Sequence, residues 1–270
     1  MGDRRKYALL SAGVVAAGVA IAFHGLRDAA GAAATGPVLQ AATTRPMPEA
    51  SFFQHCAFVC VDVQPGAKHR MAAEQMPTGW RKQCFSVEDV NAAIAYTYDV
   101  AHPNARRVAD ACRKLNLPMI FVHWGYRFAD GMDLDPETRT TFLQDFGTDY
   151  ARWPHHISRP DSRPADILGV RQGEYVIAKT AQDAFPSSNL EYVLRNLAIR
   201  NIVFVGGHTG GCLGRTAASA RRLGYKMLCV QDATFDARQS ARVPNLLKTG
   251  YDYLLTTEEF STWVNAIAGR

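Results

Sequence analysis

The chain is short of several things. None of its six cysteines forms a C-x-x-C pair, so spacing offers no zinc ribbon and no thioredoxin-like redox centre. No run of lysine and arginine alternates with aromatic residues, and the net charge is only +5, so no nucleic-acid partner is expected. There is no internal repeat. His155-His156 lacks further ligands at metal spacing and is assigned no site. What remains is an ordinary soluble composition, in a chain whose 270 residues can hold one sizeable core or two small ones.

The N-terminal stretch differs in kind from the rest. Asp3-Arg4-Arg5-Lys6-Tyr7 is basic, Tyr7 to Phe23 is uncharged and rich in Ala, Gly and Val, and small-residue sequence such as Ala30-Gly31-Ala32 follows. That order matches an export signal, and the Arg-Arg pair resembles a twin-arginine signal. A spanning helix wants about 20 apolar residues, and this alanine-heavy stretch falls slightly short, which favours a cleaved signal over an anchor. The expectation is an exported, periplasmic or extracytoplasmic protein. It touches the membrane only through this segment, and only if the segment is not cleaved. Residues 1–50 are read as signal and flexible linker, and residues 51–270 as one catalytic domain.

From there strand and helix patterns alternate. Ala57-Phe58-Val59-Cys60-Val61 is an apolar run ending at Asp62, the mark of a buried parallel strand. Further strands are read over Met119–His123, Tyr175–Ala178, Asn201–Val205, Lys226–Val230 and Tyr251–Leu255. Helices are read over Asn104–Leu115, Asn189–Leu197, Cys212–Leu223, Gln239–Leu247 and Glu258–Ile267. The alternation predicts a three-layer α/β/α fold around a six-stranded, mainly parallel, Rossmann-like sheet. Two stretches break it, Pro65 to Tyr98 and Trp124 to Arg171, and their length suits lids or binding loops. Ligands of such sheets bind at the carboxyl ends of the strands, where Asp62 and Lys179 follow theirs directly and a glycine turn leads to Cys212.

Cys212 follows Gly210-Gly211 and opens a helix. A free thiol has a pKa of about 8.5, so making it mostly thiolate at pH 7 takes roughly 3 kcal/mol. A helix N-terminus supplies only about 0.3–1 kcal/mol. Lys179 is the available cation for the remainder, and Asp62 supplies a proton carrier. Cys60, Cys112 and Cys229 read as ordinary buried small residues.

These motifs carry a resemblance. Phe58-Val59-Cys60-Val61-Asp62-Val63-Gln64 resembles the D-x-Q opening of the isochorismatase-like cysteine hydrolases, among them nicotinamidases, N-carbamoylsarcosine amidases, biuret hydrolases and ureidoacrylate amidases. Lys179 to Phe185 is similar to their K-x-x-x-S-A-F segment, with Asp183 where serine is usual. Gly206 to Cys212 is similar to their G-x-x-T-x-x-C turn. The resemblance implies a nucleophilic Cys212, a proton-carrying Asp62 and a charge-stabilising Lys179. It also implies a cis peptide at Gly207–His208, an oxyanion hole from the N–H groups of His208 and Cys212, and a turn braced by Thr209. It implies hydrolysis of a small amide, carbamoyl or ureido compound through a thioester.

The nicotinamidase D-x-H…H set is absent after the second strand, so no metal and no cofactor are expected. The expected partners are a small-molecule substrate and further copies of the chain in a homo-oligomer. Substrate contacts are sought at His123, Trp124, Tyr126 and Arg238, each also readable as a packing or surface residue. Trp153 and Phe128 stand as further wall candidates. Two other readings stay open: an isochorismatase-type ether hydrolase, against which Cys212 argues, and an exported binding protein without turnover, which the Asp183 and His208 departures allow.

Overall fold

A computed structural model describes residues 47–66 and 69–268. The export signal and most of the linker lie outside the described residues. The first strand, β1 (Cys56–Val61), is buried at every position. Its residues alternate between two cores, with Ala57, Val59 and Val61 on one face and Cys56, Phe58 and Cys60 on the other. β2 (Met119–Trp124), β3 (Tyr175–Lys179), β4 (Asn201–Gly207), β5 (Lys226–Phe235) and β6 (Tyr253–Leu255) complete the sheet in the order β3-β2-β1-β4-β5-β6. All its pairings are parallel. Strand order reverses between β1 and β4, and that crevice is where such sheets bind ligands.

Helices fill both faces. In chain order they are α1 (Thr78–Lys82), α2 (Val87–Tyr96), α3 (His102–Lys114), α4 (Pro136–Phe146), α5 (Ala184–Ser187), α6 (Leu190–Asn196), α7 (Cys212–Arg222), α8 (Gln239–Thr249) and α9 (Thr257–Ala268). α3 and α9 bury Val108, Cys112, Phe260 and Val264 in one core. α5 to α8 bury Ala184, Leu194, Leu213, Ala217 and Leu246 in the other.

Three differences from the sequence reading have physical causes. The stretch from Pro65 to Tyr98 contains α1 and α2, and Ser86 caps α2 by accepting the Asp89 N–H at 3.1 Å. The second long stretch contains α4, capped by Asp135 on the Thr138 N–H. β5 runs on to Phe235 through the polar Gln231-Asp232, and its pairing with β4 shifts register between Phe204 and Gly206.

Candidate active site

β1 delivers Asp62 and then turns. Asp62 has a φ of +54°, a left-handed conformation that aspartate tolerates better than most residues, while its N–H still donates to Val122 O at 2.9 Å. Gln64, two residues on, ties the turn down. Its Oε1 accepts the Trp124 N–H at 2.9 Å, and its Nε2 donates to Trp124 O at 3.3 Å and to Asp161 O at 2.8 Å. The glutamine of D-x-Q thus joins the ends of β1 and β2 to the second long stretch.

Lys179, fully buried at the end of β3, reaches past the neighbouring strand end. Its Nζ lies 2.9 Å from Asp62 Oδ2 and 4.0 Å from the centre of the Trp124 ring, and it donates to Ala181 O at 3.2 Å. A buried ammonium needs such partners, since removing one leaves an uncompensated charge.

β4 delivers the third group. Gly206 has a φ of +105°, and a Cβ there would stand 2.0 Å from Val61 O, so only glycine lets β4 lie this close to the end of β1. The Gly207–His208 peptide bond is cis. Asp236, after β5, accepts the Thr209 hydroxyl at 2.6 Å, the Gly210 N–H at 2.7 Å and an Asn245 side-chain N–H at 3.2 Å. The turn then feeds Cys212 into the first position of α7, 1% exposed.

Burial pushes the Cys212 thiol up to about 12; Lys179 pulls it down, the Asp62 carboxylate holds it up, and the Trp124 indole beside it pulls it down. Against the expected thiolate stands burial, the largest influence on this thiol. The lysine charge is already matched by Asp62, so burial prevails. A carboxylate stands beside the thiol, placed to take its proton when it attacks.

Asp62, Gln64, Trp124, His155, Gly207, His208, Cys212 and Asp236 line a cavity of about 130 Å³. Met71, Trp80, Ile94, Tyr98, His102 and Phe235 are among the residues that wall its other side. Three expected substrate contacts do not line it. His123 is buried on the Met119 and Phe121 face of β2, opposite Trp124, and its Nδ1 lies 3.0 Å from Trp124 O. Tyr126 is core, edge-on to Phe142, Trp153 and His156. Arg238 lays its guanidinium over Phe85, 4.4 Å from the ring centre, and so fastens the first long stretch. Trp153 is likewise core, and Phe128 is exposed.

Asp183, the departure from serine, is explained by packing. It caps α5 through the Phe185 N–H at 3.1 Å and accepts the Ser219 hydroxyl. His208 faces Phe235 edge-on, at 5.5 Å between ring centres, and burial lowers its pKa. The sequence reading missed His102 and His155. His102 opens α3 between Tyr98 and Phe235, and burial lowers its pKa to about 4. All six cysteines are free. Cys56, Cys60, Cys112 and Cys229 are buried, with thiols pushed up by burial. Among the described residues no three His, Cys, Asp or Glu side chains gather as a metal site.

A family model, the isochorismatase domain, matches residues 56–251. The N-carbamoylsarcosine amidase of an Arthrobacter species is 27% identical over 149 residues, 54% of this chain and only 52% of that enzyme, so the match spans about half of that relative. The ureidoacrylate amidohydrolase RutB of Variovorax paradoxus (strain S110) is 27% identical over 246 residues, 83% of this chain and 87% of that one. Among solved structures, a cysteine hydrolase from Pseudomonas syringae pv. phaseolicola 1448A superposes with a TM-score of 0.59 at 18% identity. It covers 80% of this chain and 94% of its own, a likeness of fold.

Proposed function

This chain belongs to the isochorismatase family, and from that premise we propose that it is a cysteine hydrolase cleaving a non-peptide C–N bond of a small amide, carbamoyl or ureido compound. The observation that carries the reading is a buried thiol and a buried carboxylate lining one cavity where strand order reverses, with the carboxylate paired to the buried ammonium of Lys179. The amidase and amidohydrolase names of the relatives support it.

In this reading Cys212 Sγ attacks the substrate carbonyl carbon as Asp62 takes the thiol proton. The resulting oxyanion is received by the backbone N–H groups of His208 and Cys212. Asp62 then protonates the departing nitrogen, leaving a thioester on Cys212. Water, deprotonated by Asp62, attacks the thioester and releases the acid, and the proton returns to the thiol. Lys179, paired with Asp62 Oδ2 at 2.9 Å, holds the carboxyl group in place while charge moves through the site. Export through residues 1–42 is a separate proposal, resting on the Arg4-Arg5 pair ahead of a weak apolar stretch.

The test is an ammonia-release screen of purified protein against primary amides, ureides and carbamoyl compounds, with Cys212→Ala and Asp62→Asn as controls. A substrate turned over by the native chain and lost by at least about a thousandfold in both variants is expected, because residues acting as one unit fail together. Full activity in Cys212→Ala would remove the thioester route.

A further inference from the structure

We propose that His155 is a substrate-positioning residue whose Nε2 accepts an N–H of the substrate, so that the cavity selects carbonyl compounds bearing at least one N–H over esters and N,N-disubstituted amides. The inference rests on the hydrolase reading and narrows its substrate class.

The hydrogen-bond pattern around the ring decides its tautomer. Gln64 Oε1 accepts the Trp124 N–H at 2.9 Å, which fixes which end of that amide is the NH2. The two Gln64 N–H bonds are then both taken, by Asp161 O at 2.8 Å and Trp124 O at 3.3 Å. None is left for His155 Nδ1, although it lies 3.5 Å from Gln64 Nε2. Asp161 O, 3.2 Å from Nδ1, is a carbonyl and can only accept. Nδ1 therefore carries the proton, and Nε2 of the neutral ring is a bare acceptor.

That acceptor is buried and has no hydrogen-bond partner, while its residue lines the cavity with Asp62 and Cys212. Buried acceptors are ordinarily satisfied, so an orphan acceptor on a residue that lines a ligand cavity points to the ligand. Burial, the largest influence on the ring, also lowers its pKa and so disfavours a charged ring. The placement is held firmly. His155 has a φ of +66°, where a residue with a Cβ is strained. Its N–H donates to Asp161 Oδ2 at 3.2 Å, its carbonyl accepts the Tyr126 N–H at 3.2 Å, and Arg159 braces Asp161 Oδ1 at 2.9 Å. In a bound amide the carbonyl oxygen is taken by the backbone donors, which leaves the nitrogen side for His155.

Alkylation of Cys212 tests this without turnover. Iodoacetamide carries two amide N–H bonds; N,N-dimethyl-iodoacetamide carries none. Their rates on Cys212, read by peptide mass spectrometry, are each divided by their rates on a small free thiol. The native protein is expected to favour iodoacetamide by at least about tenfold, since a site built to bind an N–H rejects its absence. His155→Phe should bring the ratio to about one, and His155→Gln, whose Oε1 reaches near the Nε2 position, should restore part of it. A native ratio near one, or a native-like ratio in His155→Phe, overturns the proposal, and the native ratio decides it even if a variant fails to fold. A tenfold ratio in a protein that hydrolyses nothing in the ammonia screen supports the contact and removes the hydrolase reading instead.

Discussion

The two long stretches that interrupt the strand–helix alternation do opposite jobs. The first, Pro65 to Tyr98, has a small apolar cluster of its own, Met71, Met76, Trp80 and Val90, and turns Met71, Trp80, Ile94 and Tyr98 toward the cavity. The second, Trp124 to Arg171, holds the larger aromatic load, yet Tyr126, Phe142 and Trp153 merge with the main core. It gives the cavity only Trp124 and His155. Aromatic density in a loop thus marks where the loop is anchored; the cavity wall comes from the less aromatic one. The reason is geometric. The second stretch follows β2 and closes over the sheet ends toward β3, whereas α2 of the first packs beside α8, with Ser240 bonded to Asp89.

The contrast can be broken most forcefully at Trp153. It is fully buried among Tyr126, Phe142 and Tyr150, and Trp153→Ala should cost about 3–5 kcal/mol of unfolding free energy. Denaturant titration measures that loss, and KM of the folded fraction should hold. A large KM change at native stability would make Trp153 a wall residue after all.

The next effect is one of pH, at the root of the first stretch. His102 has a folded pKa near 4 against an ordinary value of 6.5, so the unfolded chain binds the extra proton between them. Its contribution to stability is complete above about pH 6.5 and is lost as pH falls toward 4, to a limit of roughly 3 kcal/mol. Stability measured from pH 7 to pH 4 should fall less steeply in His102→Phe than in the native chain. Parallel curves would show that another group carries the acid sensitivity.

The smallest effect sharpens the comparison from the other side. Ile94→Ala trims a half-buried wall residue of the satellite cluster, so its stability cost should stay near about 1 kcal/mol, below that of a fully buried deletion. KM for the best substrate should rise severalfold with kcat little changed. Equal KM values in Ile94→Ala and the native chain would move the wall elsewhere.

Much of this arrangement is legible in the residues. Asp62 and Lys179 end short apolar runs, and Cys212 follows a glycine turn; each is a local signal, and the sheet brings the signals together. α2 was passed over, although Ser86-Val87-Glu88-Asp89 is a helix-start pattern. His155 was not. Its role depends on Gln64 and Asp161, 91 residues before it and 6 after it, and on a left-handed backbone that no periodicity announces. The sign of the thiol shift was also hidden, because the burial that sets it is a tertiary property.

Asp236 has a consequence in the time domain. By taking the Thr209 hydroxyl, the Gly210 amide and the Asn245 side chain, it fastens the turn before Cys212 to the end of β5 and to the middle of α8. The Gly210 amide proton can leave only when that junction opens, so in hydrogen exchange it should behave like an amide of the central strands. A segment that reads as a glycine-rich loop would then report on the unfolding of the whole sheet.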